Sequence, residues 1–351
     1  MKKINLAVIF GGKSNEHEIS LKSANEVINS LNADKYDIIP VAIAKNGQWL
    51  IGWAGQRYME ANLPKTVQEG GVDAVVIESG AVIFSGEELS KMEIDIVLPI
   101  GHGAFIEDGK LQGMLEMLDL PYVFSGTLAS ALAMNKQKTK LVAKNAGLKV
   151  AKEIVLKKGK KYNVGKITAK LGLPVVVKPT ESGSSVGINI AKTAEELAGA
   201  IEAAFRYGQE VMLEQFIAGR ELTVAVMGNR NPKALPVVEI IPKISTFFDY
   251  AAKYQQGGSE EVCPADIPED IRKKSQKYAV KIFQALGCQD LARADFIWSE
   301  ADNKLYFLEI NTIPGMTGTS LAPKAARAQG FGFSEFLDKL IGEGIKRYKL
   351  K

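Results

Sequence analysis

Arg293 and Asp295 lie two residues apart in one short apolar segment, and Glu309 and Asn311 lie two apart in the next. Side chains two apart in a strand share a face, so each pair points one way. If the strands pair, a guanidinium, two carboxylates and a carboxamide crowd one surface, flanked by Phe296, Phe307 and Leu308. Asp295, Glu309 and Asn311 offer only oxygen ligands, the pattern of a hard cation such as magnesium rather than zinc. Arg293 is a planar fork for a phosphate or an oxyanion. Periodicity alone leaves a second reading level with this one, a salt-bridge network on an exposed sheet face. The run Thr312-Ile313-Pro314-Gly315-Met316-Thr317 tips the balance, because a Pro-Gly turn directly after the ligands offers backbone N–H groups to an anion.

Further cationic and small residues follow an order. Lys136 heads a predicted helix, and Lys178 closes the apolar run Val175-Val176-Val177. Ser182-Gly183-Ser184-Ser185-Val186-Gly187 is a loop that could close over phosphates. Glu214, ahead of Gln215-Phe216-Ile217, could border an adenine slot and supply a ribose-binding carboxylate. Each signal alone is weak; their order is more specific. Two familiar nucleotide motifs fail. Gly12-Lys13-Ser14 lacks the earlier glycine of a P-loop, Ala7 standing there, and Gly101-His102-Gly103 lacks the third glycine of a dinucleotide fingerprint, Ile106 standing there.

The elements that position these residues can be read in turn. The run 4–10 reads as a buried parallel strand, broken at Gly11-Gly12. A helix over 18–31, strands at 37–44 and 94–100, a helix over 111–118 and a short strand at 121–124 complete an open α/β layer, with 49–90 irregular. Next come a helix over 136–146 ended by Gly147, strands at 150–156, 174–178 and 211–216, a helix over 164–171, and one from the Thr193/Glu196 capping box to about 205. Strands at 221–227 and 234–241 pair about Gly228-Asn229. The long polar stretch 246–261 has the character of a lid. A helix over 269–286, strands at 290–298 and 304–310, and two helices close the chain. The domain reading is 1–129, 130–218 and 219–351.

Composition bounds the function. The chain has 351 residues, net charge +4, 46% hydrophobic and 24% charged residues, ordinary globular usage for two or three domains. That charge, with no dense basic block and few aromatics, argues against nucleic acid. Two unpaired cysteines, Cys263 and Cys288, suggest a reducing compartment. The short apolar run after Met1-Lys2-Lys3 is too brief for a signal peptide or a membrane span, so a cytoplasmic protein without a membrane partner is expected.

The ordered blocks resemble the ATP-grasp fold and, in detail, the D-alanine–D-alanine ligases. They are 11–20, from Gly11 to Ser20; His102-Gly103 with Glu107 to Gly113; Ser130 to Lys136; Lys178-Pro179 with Gly183 to Gly187; Asp249 to Tyr254; and Leu308 to Thr312 with Pro314 to Thr317, Ser320 and Leu321. The resemblance covers essentially the whole chain. It implies an ATP-grasp fold of mixed α/β and α+β character behind an open, Rossmann-like α/β N-terminal domain. It implies ATP-dependent joining of two D-alanine molecules through an acyl phosphate, for peptidoglycan precursors, with ATP and two Mg2+ (or Mn2+) ions, in a family commonly homodimeric.

On matching positions it implies that Glu16 holds the ammonium of the first D-alanine. Lys136, Lys178 and Lys253 neutralise the phosphates, and Glu214 and Glu221 contact adenosine, Glu221 at the ribose. Asp295, Glu309 and Asn311 bind the metals, and Arg293 with the Gly315 N–H holds the oxyanion. Ser320 and Leu321 meet the second carboxylate, and Ser184 and Tyr254 link back to Glu16. His102 is either a capped structural histidine or a contact to substrate or acyl phosphate. Three departures stand near the first subsite: Gly101 where leucine is common, and Ile106 and Phe124 where glycine is usual. Tyr254 favours a peptide product; D-alanyl-D-lactate or D-alanyl-D-serine formation, another ATP-grasp carboxylate–amine ligase, or an inert nucleotide-binding regulator are the alternatives.

Overall fold

The computed structural model describes residues 2–14, 16–63, 92–181, 183, 186–243 and 257–349. Three sheets organise them. The first has the order β3-β2-β1-β4, with β1 (Ile4–Gly11), β2 (Tyr36–Ile43) and β4 (Ile96–Ile100) parallel and β3 (Trp49–Ile51) antiparallel at the edge. The apolar run of β1 is central and buried from Leu6 to Gly11, as strands with covered faces require. Helix α1 (His17–Ser30) follows, and the Ser20 hydroxyl bridges Gly11 N (2.7 Å) and Ile100 O (2.7 Å), fixing the helix over the ends of β1 and β4.

The second sheet is antiparallel, β5-β8-β6-β7, from β5 (Glu153–Lys157), β6 (Val175–Pro179), β7 (Asn189–Ala191) and β8 (Glu210–Gln215). The third has β12-β11-β9-β13-β14 with β10 beside β9: β9 (Arg220–Met227), β10 (Lys233–Ala234), β11 (Val238–Pro242), β12 (Ser259–Val262), β13 (Leu291–Ser299) and β14 (Lys304–Asn311). The other helices described are α2 (Trp53–Asn62), α3 (Lys110–Met117), α4 (Thr127–Met134), α5 (Lys136–Asn145), α6 (Val164–Leu171), α7 (Ala194–Ala204), α8 (Glu269–Leu286), α9 (Leu321–Ala328) and α10 (Phe333–Tyr348).

The second sheet has its own apolar core, and the first shares one with a face of the third through Ala225, Val238, Ile240 and Leu291. That of the first is completed from the far end of the chain, by Leu321, Ala322 and Ala325 of α9 and Phe336, Leu337, Leu340 and Ile341 of α10. Helix α8 covers the third sheet, and α6 and α7 cover the second. Half of the expected capping box is formed, Thr193 Oγ1 accepting from Glu196 N (3.3 Å), while Glu196 Oε2 reaches past the cap to accept from Lys192 N (2.7 Å).

Some expectations need correction. The stretch expected to be irregular over 49–90 holds β3 and α2; 64–91 lie outside the described residues. The 121–124 segment forms no strand, only a bridge from Tyr122 to Val97, because the Phe124 N–H turns instead to Asp290 Oδ2 (2.8 Å). Helix α4 went unpredicted, its run Thr127–Met134 being too uniformly apolar to show a period. The 234–241 strand divides around Pro236, which has no N–H for the ladder. The lid stretch over 246–261 overlaps β12, which pairs with β11; 244–256 lie outside the described residues.

Candidate active site

Strands β13 and β14 pair antiparallel with Arg293 opposite Asn311 and Asp295 opposite Glu309. Arg293 Nε donates to Asp295 Oδ1 (3.0 Å) and Nη2 to Oδ2 (2.9 Å). Asp295 also accepts from Thr223 Oγ1 of β9 (2.5 Å) and from Asn311 Nδ2 (3.1 Å). Burial opposes the charge on Arg293, but the facing Asp295 raises its pKa further. The face is no exposed ion network, since the side chains of Arg293 and Asp295 keep only 13% and 7% of their exposure.

Glu309 faces Lys136 Nζ at 3.5 Å. Each carboxylate of the cluster therefore meets a resident cation. Among the described residues no group of three His, Cys, Asp or Glu could hold a metal; the oxygen set here is two carboxylates and one amide. That set suits a hard cation with places left for other oxygens.

The lysines come from the second sheet and α5. Asn135 caps α5 by accepting from Lys138 N (3.0 Å), and Lys136 N donates to Thr180 O (2.9 Å), tying the helix start to the exit of β6. Lys178 on β6 reaches Glu214 Oε2 on β8 at 2.5 Å. The other oxygen, Oε1, is taken by Lys140, a fully buried residue that the sequence reading missed. Burial would raise the pKa of Glu214, but the two ammonium groups hold it at about 2. Lys144, a further turn along, holds Glu153 (2.8 Å), which stands opposite Glu214 in the β5–β8 pair. Helix α5 thus presents Lys136, Lys140 and Lys144 in a row, each toward a different carboxylate. Their spacing of four along one helix face was the signal available in the sequence.

Glu16 and His102 come from the loops after β1 and β4. Glu16 is buried, and a Cβ added at Gly103 or Gly183 would fall 3.0 Å or 2.9 Å from its Oε2, so three chain segments converge on this carboxylate. Ser14 Oγ donates to His102 O (2.7 Å). His102 Nδ1 stands 3.6 Å from Glu107 Oε1, while Glu107 Oε2 accepts from Gly103 N (2.7 Å). Burial would lower the pKa of His102; Glu107, with Glu16 behind it, raises it instead. The other histidine, His17, is held between Gly12 O (2.7 Å) and Tyr58 Oη (3.2 Å), and burial lowers its pKa.

Two of the three departures are sterically one. A Cβ at Gly101 would collide with Cδ1 of the buried Ile106, so the side chain at 106 fills the space a residue at 101 would use. Gly101→Ala is expected to cost about 1–3 kcal/mol by overpacking. Ile106→Ala in the same chain should return part of it, with a coupling of roughly 1 kcal/mol in a double-mutant cycle read by thermal unfolding. The third, Phe124, carries φ 79, a left-handed backbone natural to glycine. Its N–H to Asp290 and its carbonyl to Arg347 Nη1 (2.7 Å) hold it there.

Past Asn311 at the end of β14, Thr317 N and Thr317 Oγ1 both bond Ser320 Oγ (3.1 Å and 2.7 Å), and a Cβ at Gly315 would lie 2.9 Å from that hydroxyl. Ser320 precedes α9, whose first residue Leu321 is buried. Glu26 of α1, also missed, accepts from Gly318 N (2.7 Å) and ties the helix that begins beside Glu16 to this turn. Glu221 on β9 stands opposite Ile297 of β13 and, with Asp295 and Glu309, contributes to the field on Arg293. Ser184, Lys253 and Tyr254 lie outside the described residues.

Two antiparallel sheets that bring lysines and carboxylates together, following an open, mostly parallel sheet, define the ATP-grasp class of ligases. The family described as D-ala D-ala ligase N-terminus matches residues 5–125, and that described as D-ala D-ala ligase C-terminus matches 142–342. The D-alanine–D-alanine ligase of Natranaerobius thermophilus is 38% identical, covering 100% of this chain and 97% of its own. D-alanine–D-alanine ligase A of Escherichia coli is 36% identical, covering 99% and 97%. Among solved structures, the VanG D-Ala:D-Ser ligase of Enterococcus faecalis is similar with a TM-score of 0.84, 35% identity and 98% and 100% coverage. The Bacillus anthracis D-alanine–D-alanine ligase complexed with ATP follows at 0.76, 29% identity and 99% of each chain. The chain belongs to the D-alanine–D-alanine ligase family.

Proposed function

We propose that this chain joins two D-alanine molecules at the expense of ATP, giving D-alanyl-D-alanine, ADP and phosphate. The observation that carries the reading is the convergence of Lys136 on Glu309, beside the opposed Arg293–Asp295 and Glu309–Asn311 pairs. A carboxylate is a poor electrophile. An oxygen of the first D-alanine carboxylate attacks the γ-phosphorus, the bond to ADP breaks, and an acyl phosphate results. Glu16, buried where three segments meet, suits the ammonium of that D-alanine. Lys136 and Lys178, with Lys253, offset phosphate charge, and Glu214 and Glu221 serve the adenosine.

Asp295, Glu309 and Asn311 would hold two magnesium or manganese ions, which neutralise charge on the phosphates when bound. The amine of the second D-alanine, having lost a proton, attacks the acyl carbon, and phosphate leaves. Arg293 and the Gly315 N–H stabilise the oxyanion of that step; one such donor is worth about 3 kcal/mol. Ser320 and Leu321 serve the second carboxylate, with Glu26 steadying their turn through Gly318. His102 would contact the substrate or the acyl phosphate, and Ser184 and Tyr254 would link to Glu16. As a lid, the polar stretch 246–261 would keep water from the acyl phosphate. The reading extends to a cytoplasmic homodimer making peptidoglycan precursors, with small molecules rather than nucleic acid or membrane as partners. Among the described residues no helix is long and apolar enough to cross a membrane.

A second reading, D-alanyl-D-serine synthesis, is kept in view by the likeness to the D-Ala:D-Ser ligase, at TM-score 0.84 and 35% identity. Incubation with magnesium, ATP and equal D-alanine and D-serine separates them by mass spectrometry of the products. A predominance of D-alanyl-D-alanine is expected. Predominance of D-alanyl-D-serine favours the second reading, and no dipeptide of either kind overturns both.

A further inference from the structure

Lys140 has no place in the reading above, yet it is among the largest fully buried side chains of the molecule, and its ammonium grips Glu214. Glu214 divides its two oxygens. Oε1 goes to Lys140, in the middle of α5, and Oε2 goes to Lys178, near the end of β6, at 2.5 Å. Two cations thus serve one anion, an arrangement that leaves one positive charge over. Burial pushes Lys140 below the ordinary lysine value despite its partner, whereas Lys178 is raised against its own burial by Glu214 and by the Glu309 beyond it. A single lysine that left Glu214 for a phosphate would strand a buried carboxylate, which is strongly unfavourable.

We propose that Lys140 is the fixed counter-ion of Glu214, a positioning residue that keeps this carboxylate compensated when Lys178 turns from it to the phosphates of the nucleotide. The inference rests on the assignment of Lys178 to the phosphates. At rest the trio carries one excess positive charge. With the phosphate engaged, Lys178 follows the new anion, and the Lys140–Glu214 pair remains neutral. Without Lys140, Glu214 would retain Lys178 and compete with the nucleotide for it.

The test is calorimetric binding of ATP and of adenosine to the full chain, with Tm recorded. In Lys140→Met the affinity for ATP is expected to fall roughly tenfold or more, a loss of the size typical for a charged buried partner. Adenosine, which has no phosphate, should bind within a few-fold of wild type, and the KM for D-alanine should not move. The charge-balanced variant Lys140→Met/Glu214→Gln removes one cation and one anion, so Lys178 is again available. Its ratio of ATP to adenosine affinity should return toward that of wild type, and it carries the test should the single variant not fold. Equal losses for ATP and adenosine, or a double variant whose ratio stays collapsed, would show a merely structural lysine and overturn the proposal. A wild-type chain that binds adenosine but gains nothing from the phosphates overturns the assignment of Lys178 and this inference with it.

Discussion

Glu309→Gln is expected to lower kcat by about 10³-fold, with little change in Tm. The amide keeps the shape of the side chain but brings no negative charge to a divalent cation, whose electrostatic contribution amounts to several kcal/mol, or roughly a tenfold rate change per 1.4 kcal/mol. The fold should tolerate the change. Glu309 is partly open to solvent, its contact with the buried Lys136 is long at 3.5 Å, and glutamine still offers that ammonium an amide oxygen of the same reach. Steady-state phosphate release over a magnesium titration, with thermal unfolding alongside, checks both halves. Turnover at the wild-type rate would remove Glu309 from the metal site.

Arg347→Ala is expected to produce the largest loss of stability, about 3–5 kcal/mol, the cost of stranding a buried charge. Arg347 near the end of α10 faces Asp290 (3.1 Å), donates to the carbonyls of Phe124 and Tyr122, and donates to Gln289 Oε1 (2.7 Å). Asp290 is fully buried, and it and Phe124 hold positive φ, 57 and 79. The guanidinium thus binds the closing helix to two strained points, one beside the first sheet and one at the start of β13. Burial raises the pKa of Asp290 to about 6 in spite of Arg347.

The sign of the pH effect follows. A carboxyl whose folded pKa lies above its unfolded value holds its proton more tightly when folded, so its contribution to stability falls as pH rises from about 4 to about 6. Removing Arg347 pushes the Asp290 pKa higher still. The loss in Arg347→Ala should therefore be greatest near pH 8 and shrink toward pH 5, where Asp290 is more readily neutral. Denaturant midpoints at the two values measure it; a loss independent of pH would argue that the bonds to the carbonyls, rather than the charge, dominate.

The parts of the site that repeat with the period of a strand were legible in the sequence. Arg293 with Asp295, and Glu309 with Asn311, fall on shared faces by alternation, and the observed register sets them opposite one another. The helices over 164–171 and 269–286 were equally plain, because each has a periodic apolar face between clear stops. What escaped depends on contacts between distant segments. Lys140 and Lys144 could have been seen as a stripe with Lys136, but the carboxylates they hold, Glu214 and Glu153, lie on two other elements. Glu26 meets Gly318 from the opposite end of the chain. Gly101 and Ile106 were visible as separate departures, yet only packing makes them a single exchange of volume.

The central claim, that this is a ligase whose activated carboxylate belongs to D-alanine, is tested most directly by phosphate release from ATP and magnesium with D-alanine, L-alanine or no amino acid. Release that rises severalfold or more with D-alanine and stays at the background rate with L-alanine is the predicted result. The same rate with and without D-alanine would contradict the account.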